Sequence, residues 1–293
     1  MTYPAEQLDR WRRACRIAAE ARDRGAEWAV PGVRRRDLAD RIEALIRARG
    51  AEPSFPANLS RNYEAAHYTP SPDDEEVLRE GDLLKVDVGA HLDGAIADTA
   101  ITVEVGGGHR HDALVRAVRE ALAAGVREVR AGVSVDRIGS AVEAAVHARG
   151  LKPVRNLMGH SIKPYVLHGG TSIPNVSGVS DEPLPDGEII AIEPFVTNGA
   201  GSIEDGPFGN IVRFRTEPPA SDPAAAIYRR FRTLPFTARW LTEAERATLR
   251  KARKHLQVYP VFVESGDGWV AQAEHTVLVT PEGGEVLTRW EGP

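Results

Sequence analysis

The 293-residue chain contains a single cysteine, and this scarcity excludes two classes of small stabilised protein. One cysteine cannot close an intramolecular disulfide, and it cannot supply the set of thiolates that a cysteine-based zinc site needs. Because Cys15 lies in a segment with helical apolar periodicity, we interpret it as a small core residue. At this length the chain can bury a sizeable apolar core.

Long apolar runs and a strong charge of either sign are also absent. No stretch approaches the roughly 18 apolar residues of a membrane span, and the charged N-terminus contains no apolar signal core. We therefore expect a cytoplasmic protein without a membrane partner. With 37 basic and 42 acidic residues the net charge is −5, which gives no reason to expect nucleic acid as a partner. Nothing in the sequence indicates an oligomeric state.

Apolar spacing and breaker residues predict the order of the secondary structure. A turn-rich passage is expected over 53–72, followed by a hairpin of strands over 83–89 and 94–105. Short strands are expected over 163–168, 188–195 and 271–280. Helices are expected over 5–24, 35–49, 111–130 and 134–149, with Gly25, Gly50 and Gly150 as stops.

The segment 199–260 differs from what surrounds it. It begins with glycine- and proline-rich loop signals, and its apolar spacing then favours helices over 224–233 and 242–255. Strands on both sides of it look like parts of one sheet system. We therefore interpret 199–260 as a helical insertion within one domain that spans residues 1–293.

Two aspartates stand in apolar settings on the predicted hairpin. Asp87 lies within 85–89 and Asp98 within 95–100, both rich in valine, isoleucine and alanine. An unpaired carboxylate buried on a strand costs several kcal/mol, so a dication between the two is a natural remedy. The simpler alternative is that one aspartate is bonded to a turn and the other is exposed at a strand edge.

Four further side chains could join a metal site. His160 and His168 are flanked by apolar residues and bracket a short turn, while Glu193 and Glu274 lie in apolar strand contexts. Each of them, taken singly, is more often a structural residue. Two aspartates, two glutamates and one histidine together form an oxygen-rich set with one imidazole, which suits a pair of divalent cations that share a bridging hydroxide.

The ordered set of motifs resembles the type II methionine aminopeptidases, in the short archaeal-like form without a long N-terminal extension. The resemblance runs from about residue 34 to about residue 279, and the full set is far more specific than any one motif. Its marks are 55–60, 65–70, Asp87 with Asp98, 156–160, 168–170, 173–175, 192–195, 233–236 and 274–276.

The resemblance implies an α/β "pita-bread" fold, with two pseudo-symmetric halves around a central antiparallel sheet. It implies two divalent ions (Co, Mn, Fe or Zn) and hydrolytic removal of the initiator methionine before a small second residue, by a metal-bridging hydroxide. The implied partners are nascent polypeptide N-termini, with the ribosome as the place where they are met. The matching metal ligands are Asp87, Asp98, His160, Glu193 and Glu274.

The same resemblance assigns roles around the metals. Glu193 matches the carboxylate that handles the proton, and His168 matches the histidine that contacts the scissile carbonyl. His67 matches a second histidine near the scissile nitrogen. Phe55 and Leu167 match apolar positions that hold the methionine side chain.

Two other kinds of protein share features with this sequence. A binding module descended from the peptidase would have lost metal ligands, whereas all five positions are intact here. A proline-specific aminopeptidase or dipeptidase shares a similar metal set but usually carries a large additional N-terminal domain. Only about 80 residues precede the first metal strand in this sequence.

Overall fold

The computed structural model describes residues 3–266 and 268–289. The ends of the expected 1–293 domain, and residue 267, lie outside the described residues. The first half contains α1 (Ala5–Trp28), α2 (Arg35–Ala48), β1 (Glu52–Arg61), β2 (Glu64–Ala66), β3 (Leu83–Leu92) and β4 (Ala95–Glu104). Then follow α3 (Asp112–Glu128), α4 (Val135–His147), β5 (Lys152–Pro153), β6 (Met158–Ile162), β7 (Ser172–Pro174), β8 (Ile189–Ile192) and β9 (Phe195–Thr197).

The remaining elements run from β10 to the C-terminal strand. They are β10 (Ile203–Phe214), α5 (Ala225–Phe231), β11 (Phe236–Thr237), α6 (Glu243–Lys251), β12 (Leu256–Glu264), β13 (Val270–Gln272), β14 (His275–Val279) and β15 (Gly284–Val286). Two 3-10 turns, Ala238–Trp240 and Arg253–His255, flank α6. No helix in the described ranges is long and apolar enough to cross a membrane.

Within the described residues, the strands form four antiparallel sheets. Their orders are β1-β3-β4, β11-β10-β12-β2, β13-β9-β5 and β15-β14-β8-β6-β7. Helices α1 and α2 pack on the first sheet, and α3 and α4 cover the other half of the molecule through a second apolar cluster.

The two halves repeat one local structure. After α1, Gly32 N–H donates to Leu78 O at 2.8 Å, and after α3, Gly132 N–H donates to Leu184 O at the same distance. Isolated bridges occupy equivalent places beside these bonds, Arg34 with Val77 and Ser134 with Pro183. The shared pattern is the physical basis of the pseudo-symmetry that the sequence led us to expect.

Threonine side chains join β4 of the first half to β13 and β14 of the second. Among the described residues, β4 shares no β-ladder with those strands. Thr99 Oγ1 donates to Glu274 O at 2.8 Å, and Thr102 Oγ1 donates to Gln272 O at 2.6 Å. Thr276 supplies the reciprocal bond from β14, because its Oγ1 accepts from Asp98 N–H and donates to Asp98 O. These buried bonds fix β4 against β13 and β14, so the halves are held in register at the centre.

The expected helices and the β3–β4 hairpin are confirmed, with one wrong stop. Helix α1 continues past Gly25 to Trp28. A Cβ at Gly25 would lie 2.7 Å from Ile42 Cδ1 and 3.0 Å from Val86 Cγ1. The glycine therefore permits close packing of α1 on α2 and β3 and does not end the helix. By contrast, Gly50 and Gly150 adopt positive φ directly after their helices, as expected.

The turn-rich passage expected over 53–72 is found at 62–63 and over 67–72, but the prediction was wrong for 53–61 and for the short strand β2. Residues 52–61 form β1, which pairs with β3 through irregularities between Pro53 and Phe55 and between Phe55 and Asn58. Prolines lack an N–H for the ladder, so a strand that contains Pro53 and Pro56 needs such bulges. The two prolines do interrupt the regular pairing, as their sequence signal indicated, but they produce an irregular strand and not a loop.

The three short strands expected in the second half are displaced or divided. Residues 163–168 form a turn with only a Lys163–Val166 bridge, and the strand lies before them as β6. The strands expected over 188–195 and 271–280 are each interrupted, at Glu193 and at Glu274.

The segment 199–260 contains the two expected helices but is not mainly helical. Its glycine- and proline-rich beginning forms the long strand β10, which pairs with β12 through two irregularities. Val212 and Phe214 on one face of β10 pack with Phe231 and Phe236 in a separate apolar cluster. Glycines at 206 and 209 allow the backbone of β12 to approach closely, which explains why a strand carries loop-like composition.

Replacing Thr276 with valine tests the threonine seam, by which we mean the buried hydrogen bonds that Thr99, Thr102 and Thr276 make between the halves. The shape is kept, but the buried N–H and C=O of Asp98 lose their partner, at a cost of about 1–3 kcal/mol in unfolding free energy. The control is Thr248→Val, because Thr248 donates only to Ala244 O within α6 and should cost less than about 0.5 kcal/mol. Urea denaturation of the metal-free proteins measures both, and equal losses would contradict the role of the seam.

Candidate active site

The aspartates of the β3–β4 hairpin project from the same face of their sheet. Asp98 pairs with Gly89, which is two residues from Asp87, and side chains two positions apart share a face. Both carboxylates are buried, with 8% of Asp87 and 5% of Asp98 exposed. The hairpin therefore places two carboxylates side by side away from bulk water.

The second half supplies one imidazole and two carboxylates to the same place. His160 lies on β6 opposite Ala191 of β8, and Glu193 follows β8 directly. The β8–β14 ladder ends with the pair Ile192 and His275. Glu193 follows Ile192 in the chain, and Glu274 precedes His275. Pro194 has no N–H with which to continue pairing. The interruption of both strands thus leaves the two glutamates at the inner ends of neighbouring strands.

The distances between their side-chain atoms show that these residues form one cluster. The potential ligand atoms of Asp98, His160 and Glu274 all lie within 4.8 Å of one another. His160 Nε2 is 3.6 Å from Asp98 Oδ2 and also 3.6 Å from Glu193 Oε1. Asp87 lines the same cavity and accepts from Asn58 Nδ2 at 3.3 Å. The structure therefore brings together all five of the residues expected to hold metal.

Burial and mutual repulsion disfavour ionisation of the carboxylates in this cluster. Burial raises the pKa of Asp87 to about 7. Burial, and next the charge of Asp87, raise the pKa of Asp98 well above its ordinary value. Burial followed by repulsion from the other carboxylates does the same to the pKa values of Glu193 and Glu274. A divalent cation would remove this repulsion.

Unpartnered polar atoms show that the residues present fit such a cation. Asp87 Oδ1 and Glu274 Oε1 are buried without a hydrogen-bond partner, and so are Asn58 Oδ1 and Gln272 Oε1 close to Asp87. Buried acceptors without partners are costly, and native structures rarely keep them. Carboxylate oxygens with one imidazole suit divalent cations such as Mn, Fe, Co and Zn.

The imidazole of His160 is oriented for ligation. Its Nδ1 lies 3.3 Å from Ser161 O, and because a carbonyl only accepts, Nδ1 carries the proton. Nε2 therefore presents a lone pair to the cluster of carboxylates. Burial lowers the pKa of His160 to about 3, so the ring is neutral at pH 7. A backbone bond that fixes the tautomer of a histidine in this way is usual in metal sites.

Two further histidines border the cluster on the side of the cavity. His67 Nδ1 lies 3.3 Å from Pro260 O, so this nitrogen donates and Nε2 is free to accept. His168 lies edge-on to His160, with ring centroids 4.4 Å apart. Burial lowers the pKa of both His67 and His168 to about 4, with smaller contributions from neighbouring cations and histidines. Both rings are neutral at pH 7.

Apolar side chains form the rest of the cavity wall. Phe55 of β1 and Leu167 of the 163–168 turn line it, as the resemblance implies. Sequence reasoning missed several other lining residues, because they lie on β1, β2, β10 and β12 and directly before β11, and none of them carries a catalytic signal of its own. They are Asn58, Ala66, Ile211, Pro235 and Tyr259.

The turn that carries Leu167 and His168 is held from two sides. Tyr165, at φ 60°, donates its N–H to Gly94 O of the β3–β4 hairpin at 3.0 Å. Thr233 Oγ1 donates to Tyr165 O at 2.5 Å, and the Arg232 guanidinium lies 4.2 Å from the centre of the tyrosine ring. The hairpin and the 199–260 segment therefore position this turn jointly.

Comparison with known proteins agrees with this geometry. Residues 9–281 match Metallopeptidase family M24. The chain belongs to metallopeptidase family M24. It is 42% identical over 294 residues to a protein of Pyrococcus horikoshii named "Methionine aminopeptidase", with 96% of this chain and 99% of that protein covered.

Solved structures show the M24 fold in this chain. A methionine aminopeptidase from Thermotoga maritima matches with a TM-score of 0.75 at 23% identity, covering 99% of each chain. A thermophilic Arx1 matches with a TM-score of 0.84 at 17% identity, covering 99% of this chain and 93% of that one. The expected pita-bread fold and family are thus confirmed, and membership of a metallopeptidase family implies use of a divalent metal.

The stability of the metal-free protein should fall as pH rises, owing to the buried carboxylates. The pKa of Asp87 is raised from 3.8 to about 7, so between these values the folded state holds more protons than the unfolded chain. Metal-free Asp87→Asn should therefore melt at a higher temperature than metal-free wild type at pH 7.5, with a smaller gap at pH 5. Calorimetry in chelator measures this, and a gap that does not change with pH would contradict the electrostatic account.

Proposed function

We propose that this chain is a metal-dependent methionine aminopeptidase that hydrolyses the first peptide bond of proteins whose second residue is small. The observation that carries the proposal is the position of a five-residue metal-type cluster at one end of a cavity with an apolar wall. The identity of 42% over nearly the whole chain to a protein of that name supports it.

The proposed ligands are Asp87, Asp98, His160, Glu193 and Glu274, and together they would hold two divalent ions. Four carboxylates supply four negative charges, which a pair of dications balances. When bound, the ions supply Lewis acidity and a water that loses its proton near neutral pH. Glu193 retains 15% of its side chain exposed, more than the 7% of Asp98 and the 9% of His160. Asp87 and Glu274 are buried as well, so Glu193 is the carboxylate best placed to accept a proton from water and pass it to the leaving nitrogen.

The histidines act on the peptide bond as neutral groups. His67 donates through Nδ1 to Pro260 O, so its Nε2 can accept the N–H of the scissile amide. Neutral His168 can donate one N–H to the scissile carbonyl oxygen as negative charge develops there, which stabilises the transition state. The turn held by Tyr165 and Thr233 positions this donor.

The apolar wall gives the preference for methionine. Phe55, Leu167, Ile211 and Tyr259 line the cavity, and an unbranched thioether side chain fits an irregular apolar space of this kind. The free amino group of the substrate would lie beside the carboxylates, which explains why only the first residue is removed. We propose nascent polypeptide N-termini as substrates, met at the ribosome in the cytoplasm.

Release of methionine from Met-Ala-Ser and Met-Leu-Ser tests the proposed activity. Metal-stripped protein resupplied with Mn or Co should hydrolyse Met-Ala-Ser and should hydrolyse Met-Leu-Ser much more slowly, because a bulky second residue collides near the metals. Equal rates would contradict the size rule. No release with any metal by folded protein would favour the binding-module alternative.

Replacing His168 with alanine separates metal binding from transition-state stabilisation. The variant should bind Mn like wild type and lose roughly 10²–10³ in kcat, if the ring stabilises the developing oxyanion. The matched control is His147→Ala, an exposed histidine of α4 remote from the cavity lining. An unchanged kcat in His168→Ala would remove this residue from the reaction.

A further inference from the structure

The strand β10 presents different chemistry on its two faces. Val212 and Phe214 pack into the apolar cluster of α5 and α6, so the alternating residues Ile211 and Arg213 face the other way. Ile211 lines the substrate cavity. Arg213 is therefore the next side chain on the cavity-facing side of this strand.

The neighbouring strand β12 shows that Arg213 lies just beside the cavity. Ile211 pairs with Tyr259, which also lines the cavity, and Arg213 pairs with Gln257 as the next cavity-facing pair. Arg213 Nε donates to Gln257 Oε1 at 2.9 Å, and this bond holds the guanidinium along the sheet. The arginine is half-buried, so it borders the cavity while keeping contact with water.

The charge of Arg213 is not neutralised by the protein. Among the residues that the structure describes, its side chain bonds to the uncharged Gln257 and forms no ion pair with a carboxylate. Its charge acts on two groups of the cavity. Burial lowers the pKa of His168 most, and the Arg213 charge lowers it further. Burial raises the pKa of Tyr259, and the Arg213 charge opposes that rise. A fixed cation thus lies directly beside the lining of the cavity, next to Ile211 and Tyr259.

We propose that Arg213 forms a subsite for an acidic side chain of the substrate, at the third or fourth residue of the chain being processed. The inference rests on the proposed aminopeptidase function and adds a substrate class to it. The cavity holds the first residue and the metals restrict the second, so the following residues are the first that can reach the strand beyond Ile211.

The size of the effect follows from the position of the charge. A partly exposed ion pair is weak, so we expect about a two- to fivefold preference in kcat/KM for a glutamate over a glutamine at the favoured position. The preference should lie mainly in KM, because an ion pair with a distal side chain is made equally in the bound substrate and in the transition state. It should shrink in 0.5 M salt, where exposed charges are screened.

Peptide series with and without the arginine charge test the subsite. The substrates are Met-Ala-Glu-Ser and Met-Ala-Ser-Glu with their glutamine and lysine counterparts, assayed with Mn at low salt and in 0.5 M NaCl. The variants are Arg213→Gln, Arg213→Lys and Arg213→Glu. Arg229→Gln is the control, since it removes the same charge from an exposed position on α5.

The proposal requires a glutamate preference in wild type and in Arg229→Gln that disappears in Arg213→Gln. Arg213→Lys should keep part of the preference, and Arg213→Glu should reverse it in favour of lysine. Equal kcat/KM values across the wild-type series, with methionine still released, would overturn the subsite but not the aminopeptidase. Absence of release from every peptide would instead contradict the proposed function. If Arg213→Gln does not fold, the wild-type series and Arg213→Lys still decide the question.

Discussion

Four carboxylates are buried against one another at the centre of this molecule, and the rest of the structure has to hold them there against their own repulsion. Burial raises the pKa of all four, and the charges of the other carboxylates raise the pKa of Asp98, Glu193 and Glu274 further, so without a cation they cannot all ionise at neutral pH. Such an arrangement is unfavourable for stability alone. We propose that the scaffold keeps it because the same groups, once balanced by metal, would provide the chemistry of a hydrolase.

The threonine seam explains how two halves of one chain maintain this cluster. Asp98 and Glu274 come from different halves, yet their backbones are linked by buried hydrogen bonds from Thr99 and Thr276. Between β4 and the strands β13 and β14, these side-chain bonds and the backbone bond from Glu274 N–H to Ala100 O take the place of a ladder. The β10–β12 sheet adds Ile211 and Tyr259 to the cavity wall, with Arg213 beside them and without an ion pair among the described residues. In the proposed function, substrate selection and metal binding would therefore belong to different layers.

The sequence predicted which five side chains come together better than it predicted the strands that carry them. Asp87 and Asp98 were recognisable because carboxylates in apolar strands are unusual, and the ordered motifs added the other positions. The prolines of β1 and the glycines of β10 gave loop signals, since a local pattern cannot show that a long-range partner strand tolerates bulges. Ile211 and Tyr259 could not be found from sequence either, because only the pairing of distant strands makes them neighbours of His168.

The position of bound metal tests the account most directly. Crystals grown with Mn and measured for anomalous scattering should show two peaks within ligand distance of Asp87, Asp98, His160, Glu193 and Glu274. The Asp87→Asn protein should lose occupancy at that place while keeping the fold. Peaks elsewhere on the molecule, or none in the wild-type cluster under conditions that support activity, would contradict the assignment.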